Sequence, residues 1–122
     1  MAYNGRSNFK LNRALALVDG WNAQTLAGDT TLTVKDSQMQ AIDPGGAGRN
    51  VTLPAGETKG RFMFIANKAD GAEGIALLQP DGSTSLATVH QNDMAIIYAT
   101  DDIAAAATSG WSRFFMVSGA IT

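Results

Sequence analysis

The sequence predicts an all-β fold of the sandwich or barrel kind, and three observations lead to that prediction. Gly, Pro, Asn and Asp interrupt the 122-residue chain roughly every eight to twelve residues, a spacing typical of short strands joined by turns. Between these interruptions, residues alternate between apolar and polar or form short apolar runs, which indicates strands. Helical signals are weak, because Gly20 would end any helix begun at residues 13–18 within two turns.

The first two predicted strands show a period of two. Residues 31–35 place Leu32 and Val34 on one face and polar side chains on the other. Residues 38–42 continue this alternation. Asp43-Pro44-Gly45-Gly46 then predicts a turn, since proline presets φ and glycine supplies positive φ.

Several later strands are apolar on both faces. A strand buried on both sides, or one lying between a core and a subunit interface, has this composition. The strands with this pattern are residues 61–66, 94–100 and 111–117. A 122-residue sandwich does not need so much apolar surface, so the excess predicts burial between subunits.

Shorter strands and turns complete the predicted body. The additional strands are residues 50–53, 75–78 and 86–90. Turns are predicted at residues 71–74 and at Pro80-Asp81-Gly82. The alanine-rich residues 103–107 are predicted to form a loop that holds at most one helical turn, because the flanking signals leave too little room for a helix.

Composition excludes several classes of function. Nine basic and eleven acidic residues give a net charge of −2, which disfavours a broadly basic nucleic-acid-binding protein. The chain has no cysteine, so disulfides, thiolate metal sites and cysteine nucleophiles are absent. No secretory signal and no apolar run of membrane-spanning length is present. We therefore expect synthesis in a cytoplasm and a partner that is neither nucleic acid nor membrane.

Charge is concentrated at the N-terminus. Residues 1–18 carry three basic side chains and no acid, whereas the remaining 104 residues carry six bases and eleven acids. This predicts two parts, an N-terminal arm over residues 1–20 and a β-sandwich over residues 21–122. The arm is either a loose terminus or a segment that orders on a partner. Its candidate contact residues are Tyr3, Arg6, Phe9, Lys10 and Arg13.

Catalytic and metal-binding patterns are not found. His90 precedes Asp93, but no nucleophile motif accompanies them, so a turn or interface histidine is the favoured interpretation. Asp43, Asp93, Asp101 and Asp102 lack the spacing of a calcium loop and are better explained as loop caps. We expect no enzymatic activity, no metal and no cofactor.

Other candidate motifs also favour structural roles. Residues 45–50 are glycine-rich, but no Lys-Ser/Thr follows them, which excludes a P-loop. Glu57 and Glu73 both lie in predicted turns and do not form a glycosidase pair. Trp21 and Tyr98 are candidates for stacking on sugars, whereas Trp111 is predicted to lie in the core.

A resemblance emerges from a run of specific segments. These segments are AIDPGGAGRNVTLP at residues 41–54, KGRF at 59–62, IANKAD at 65–70 and GI at 74–75. With the Asp81-Gly82 turn, the strand from Asp93 to Ala99 and Trp111, they cover residues 30–117. This pattern resembles a β-module found in virion proteins of tailed bacteriophages, especially capsid decoration (cement) proteins and fibre segments.

The resemblance implies a fold, an assembly and a location. It implies a small antiparallel β-sandwich or jelly-roll-like domain, with the extended N-terminal arm outside the module. It also implies a homotrimer that binds the major capsid protein at threefold or quasi-threefold positions on the outer surface of the virion. The trimer interface is expected to contain Phe62, Phe64, Ile96 and Phe115.

Two alternatives to capsid decoration remain at this point. The first is a phage fibre or host-recognition module that binds a surface glycan through exposed aromatic residues. The second, a small hydrolase, is disfavoured by the lack of catalytic patterns. Because the module makes up nearly the whole chain and no coiled coil or fibre repeat accompanies it, decoration is preferred over a fibre segment.

Overall fold

The computed structural model describes residues 20–57 and 59–119, which contain nine strands and no helix. The all-β prediction is therefore confirmed for these residues. The strands are β1 (Trp21–Thr25), β2 (Thr30–Thr31), β3 (Met39–Asp43), β4 (Arg49–Thr52), β5 (Phe62–Asn67), β6 (Ile75–Leu78), β7 (Ser85–Val89), β8 (Met94–Ala99) and β9 (Trp111–Val117).

The strands form two mixed sheets, an arrangement consistent with a β-sandwich. The five-stranded sheet has the order β1-β3-β5-β8-β9, and the four-stranded sheet has the order β2-β4-β6-β7. From β1 to β6 the chain alternates between the sheets, so β1, β3 and β5 are parallel, as are β2, β4 and β6. β7, β8 and β9 then join by antiparallel pairing.

The prediction of an antiparallel or jelly-roll-like arrangement was wrong for the first six strands. These strands instead wind through three successive turns, each with one strand in either sheet. The change from a predicted chain reversal to a crossover between the sheets occurs at Gly45. Gly45 has φ +78°, and a Cβ there would collide with the carbonyl oxygen of Leu26. The loop therefore stacks on the preceding corner, where Leu26 N donates to Asp43 O at 2.8 Å, and carries the chain to the opposite sheet.

Two local predictions also differ from the structure. Residues 31–35 were expected to form one strand, but β2 ends at Thr31. The Asp36 carboxylate accepts hydrogen bonds from the Thr33 amide at 2.7 Å and the Thr33 hydroxyl at 3.2 Å, and these bonds close a turn. Strand β1 was not predicted, because its inward side chains are Asn22 and Gln24 rather than apolar residues.

The loop predicted over residues 103–107 is confirmed, with a turn at Ala106, φ +54°.

The core lies between the two sheets. Its largest fully buried apolar side chains include residues of both sheets: Ile42, Met63, Ile65 and Ile97 from the five-stranded sheet, and Val51, Ile75, Leu77 and Val89 from the four-stranded sheet. Trp111 is only 3% exposed and donates from its indole nitrogen to Pro54 O at 2.9 Å, which confirms the prediction of a core tryptophan.

Buried amides tie loops to this core. The Asn67 amide nitrogen donates to Glu73 O at 2.8 Å and to Val89 O at 2.9 Å, while its oxygen accepts from Ala69 N at 2.8 Å. All three polar groups that face Asn67 are thereby satisfied, so this side chain fixes the loop between β5 and β6 against β7.

Candidate functional site: the apolar outer face

The outer face of the five-stranded sheet is almost entirely apolar. Alternation along each strand sends one set of side chains into the core and the other set outward. The outward positions of β1, β3, β5 and β8 include a single charged residue, Asp43. The outer face, as the term is used below, consists of Trp21, Ala23, Thr25, Met39, Ala41, Asp43, Phe62, Phe64, Ala66, Met94, Ile96, Tyr98, Ser112, Phe114, Phe115 and Val117.

The four predicted interface residues lie together on this face. Phe64 is the cross-strand partner of Ile96, and Ile96 in turn is the partner of Phe115. Phe62 pairs with Tyr98 two residues along the same strands, on the same face. The double-sided apolar patterning of these strands thus has a structural explanation: their inward residues fill the core, and their outward residues form one continuous surface.

A bulge in β9 enlarges the aromatic part of the face. Ile96 pairs with Phe115 while Ile97 pairs with Arg113, so Phe114 is an extra residue in the strand. The Phe114 ring packs edge-on against Phe62 at 5.5 Å and against Tyr98 at 6.0 Å between centroids. Phe114 and Phe115 consequently remain 62% and 57% exposed although they are neighbours in the chain.

The area of the outer face reaches the scale of an interface. Trp21 is 63% exposed and Phe62 is 36% exposed, in addition to the two phenylalanines of the bulge. These four side chains alone leave on the order of 500 Å² of aromatic surface in solvent, given the usual size of such side chains. That matches the largest apolar patch on a typical monomer, before the half-buried Phe64, Ile96 and methionines are added.

The outer face of the four-stranded sheet has a different chemistry. Its outward positions hold small polar or small apolar side chains, which include Asn50, Thr52, Ala76 and Thr88. The two sides of the molecule are therefore distinct, one aromatic and one rich in threonine. A homo-oligomer that buries only the aromatic side would expose the polar side to water or to another partner.

A groove runs along the β1 margin of the outer face. It has a volume of about 440 Å³ and is lined by Trp21, Ala23, Gln24, Thr25, Ala41 and Lys68. Ala23 and Ala41 provide little side-chain bulk, so the Trp21 indole stands beside a shallow floor. Of the sugar-stacking candidates, Trp21 is thus at a groove, and Tyr98 is in the aromatic cluster with Phe62 and Phe114.

The acidic residues weighed as metal ligands are not gathered in one place. Asp93 precedes β8 and Asp101 follows it, so they lie at opposite ends of a six-residue strand, on the order of 20 Å apart. Asp102 accepts a hydrogen bond from Lys59 N at 3.1 Å, and Asp101 accepts one from the Thr100 hydroxyl at 3.1 Å. Within residues 20–57 and 59–119, no three His, Cys, Asp or Glu side chains are grouped as metal ligands.

The histidine and the buried glutamate also have local explanations. His90 is exposed, and its carbonyl accepts from Asp93 N at 3.0 Å in a turn. Glu57 is 5% exposed and forms an ion pair with Arg61 at 3.4 Å. Burial raises the pKa of the Glu57 carboxyl above its ordinary value. The sequence predicted only a turn at Glu57, because its neighbours in the chain do not show that the loop after β8 packs there, where Ile103 N donates to Glu57 O at 3.0 Å.

The predicted arm contacts are outside the described part of the chain. Tyr3, Arg6, Phe9, Lys10 and Arg13 all precede residue 20, as does the whole of the predicted arm except its last residue.

Between residues 20 and 119, leaving aside residue 58, no helix is long and apolar enough to cross a membrane. No protein-family model matches the chain, and no curated protein matches it.

Proposed function

We propose that the protein is a structural component of a bacteriophage virion, a homotrimer that decorates and stabilises the capsid by binding the major capsid protein on its outer surface. The role requires no catalytic group, metal or cofactor. The observation that carries the proposal is the apolar outer face, whose exposed aromatic side chains are typical of a surface that another protein covers.

The arrangement of the outer face supports self-association. Stable interfaces bury about 800 Å² on each partner and have an apolar, aromatic centre. The Phe62, Tyr98 and Phe114 cluster provides such a centre, and Phe64 and Ile96 extend it across neighbouring strands. In a threefold ring each contact joins two different parts of the subunit surface, and a face that spans five strands can supply both parts.

The remaining surfaces support attachment to a large polar lattice. The threonine-rich face carries few charges, so contact with another protein would desolvate few ions. Three linked copies would also multiply a weak contact made by each basic arm, since simultaneous engagement adds about 10²–10⁴ in affinity. A protein that binds only the assembled shell stabilises that shell by mass action.

The test is co-sedimentation with purified capsids of the phage that encodes the chain. We expect saturable binding in multiples of three copies, with Phe64→Glu losing occupancy and Ala105→Glu, an exposed change in the loop between β8 and β9, retaining it. Absence of capsid binding by the wild-type protein, together with binding on a glycan array, would replace this proposal with the host-recognition alternative.

A further inference from the structure

One half of the outer face is a shallow trough. Three alanines form a cross-strand row there, since Ala23 pairs with Ala41 and Ala41 pairs with Ala66. Met39 and Phe64 lie two residues earlier on β3 and β5, so they stand beside this row on the same face. The row, which we call the alanine trough, therefore has a floor of small side chains and a wall of bulky ones.

The centre of the trough lies in the interior of the sheet. Ala41 and Ala66 are on β3 and β5, and each of these strands has a hydrogen-bonded neighbour on both sides. Ala66 also pairs with Met94, whose longer side chain closes the trough at β8. At the other end, the groove of about 440 Å³ described above continues the trough over Ala23. Because the floor has no atoms beyond Cβ, another layer of side chains can approach these strands closely.

The other half of the outer face projects. Phe114 and Phe115 at the β9 bulge are 62% and 57% exposed, and we call this pair the aromatic ridge. Phe62 and Tyr98 support the Phe114 ring at 5.5 Å and 6.0 Å between centroids. The ridge is on β9, and the trough spans β1, β3 and β5. A subunit therefore cannot place its own ridge in its own trough.

We infer that the aromatic ridge of one copy packs into the alanine trough of a second copy. Facing layers interdigitate when large side chains of one layer lie opposite small side chains of the other. Two ridges that met each other would instead place bulky rings against bulky rings and hold the flanking surfaces apart. The inference rests on the self-association proposed above, and it names the two different surface parts that a threefold ring joins at each contact.

The apolar area of the face favours a second copy seated in this way. Phe62, Phe114 and Phe115 belong to the ridge half, whereas Trp21 belongs to the trough half. A ring in which every copy uses both halves covers on the order of 500 Å² of aromatic surface per subunit. With the alanines and methionines added, this area approaches the ~800 Å² that one partner buries in a stable interface. Contact between ridges alone would leave Trp21 and the trough in solvent in every copy.

Disulfide trapping in the full-length protein tests the pairing, because the chain has no cysteine of its own. Strands β3 and β9 are three strand spacings apart, about 14 Å, which exceeds the limit of about 7 Å between the Cα atoms of a disulfide. Ala41→Cys combined with Phe115→Cys can therefore form disulfides only between copies. We expect covalent trimers of this double variant under mild oxidation, and each single-cysteine variant should remain free of cross-links.

The outcomes separate the pairing from the proposed trimer. If Phe115→Cys alone cross-links as readily as the double variant, ridges meet each other and the inference is overturned. A double variant that sediments as a trimer without cross-linking also overturns it, and assigns the trough to residues 1–18 or to a capsid protein. Covalent dimers without trimers would support the pairing and contradict the trimer, whereas a monomeric wild-type protein would contradict both.

Filling the trough provides a second measurement that leaves the ridge unchanged. Ala41→Trp should weaken assembly at least about tenfold in sedimentation velocity, because a bulky side chain on the floor excludes the ridge of the next copy. The matched control is Ala76→Trp, at a half-buried outward position of the four-stranded sheet, and it should assemble as the wild type does. Far-UV circular dichroism checks that both variants fold. Assembly of folded Ala41→Trp with wild-type affinity would overturn the inference.

Discussion

Replacing Phe64 with glutamate should dissociate the oligomer while leaving the subunit folded. Phe64 is half-buried at the centre of the outer face, where Met39 and Ile96 are its cross-strand partners. Its remaining exposed surface, on the order of 50 Å² for a half-buried aromatic side chain, would be buried on assembly and contributes about 1.2 kcal/mol per interface at 25 cal/mol per Å². Such a loss corresponds to a rise of about tenfold in the dissociation constant.

The introduced carboxylate adds to this loss. In the isolated subunit the new glutamate side chain can reach water, whereas within an apolar interface its desolvation costs several kcal/mol. Sedimentation velocity at micromolar concentration should therefore show a trimer for the wild type and a monomer near 12.8 kDa for Phe64→Glu. Thr88→Glu, at an exposed position of β7, adds the same charge on the opposite side and should remain trimeric.

Two outcomes would refute this reasoning. If Phe64→Glu sediments as the wild-type protein does, the outer face is not the self-association surface. If Thr88→Glu dissociates equally, the effect comes from net charge rather than from the apolar face. Far-UV circular dichroism of each variant distinguishes dissociation from unfolding.

The remaining predictions concern stability, pH, the arm and metal. Asn67→Ala should lower the free energy of unfolding by about 3 kcal/mol, because three hydrogen bonds of this buried side chain lose their partner. Urea denaturation measures this loss, and the exposed control Asn50→Ala should change the free energy of unfolding by less than about 0.5 kcal/mol. Hydrogen bonds from the Thr84 hydroxyl and from the Ser83 and Thr84 amides lower the pKa of Asp81, so the stabilising effect of its carboxylate is present above the ordinary carboxyl pKa and is lost as the pH falls below that value. Asp81→Asn should therefore unfold more easily at pH 7, and its free energy of unfolding should decline less steeply below about pH 4. A pH profile of stability that is unchanged from the wild type would contradict this. Deleting residues 2–12 should leave folding and trimerisation intact but reduce capsid occupancy in a salt-dependent way, whereas full occupancy at low and high salt would assign attachment to the β body. EDTA should leave the melting temperature within about 5 °C, and a larger decrease would indicate a metal site that the sequence did not predict.

Local patterns predicted the strands of this fold much better than their pairing. Strands β6 and β9 were predicted at their observed bounds, and β3, β4, β5, β7 and β8 within one residue at each end. The alternation of apolar and polar residues can be recognised within a few consecutive residues, so it predicts where a strand lies without knowledge of its partner strand. Whether the turn after Asp43 reverses the chain or passes it to the other sheet depends on packing against Leu26, which is a non-local contact.

The candidate site was predictable in part for the same reason. Apolar residues on both faces of β5, β8 and β9 indicated a second apolar surface besides the core, and the register places Phe62, Phe64, Ile96 and Phe115 together on the outer face. Their role in a trimer interface stays a prediction. The exposure of Phe114 was not predictable, since it depends on a bulge set by pairing with β8. The contribution of Trp21 to the outer face was not predicted, because β1 directs polar side chains inward. There the side-chain amides of Asn22 and Gln24 donate hydrogen bonds to Gln40 Oε1.

Electron cryo-microscopy of the virion to which the proposal assigns this protein tests the central claim most directly. The account predicts trimeric density on the outer capsid surface, with the five-stranded sheets facing the threefold axis and the Phe62, Tyr98 and Phe114 clusters buried between copies. Density for single copies, or trimers whose aromatic faces point to solvent, would contradict the assembly, and capsids without this density would contradict the decoration function.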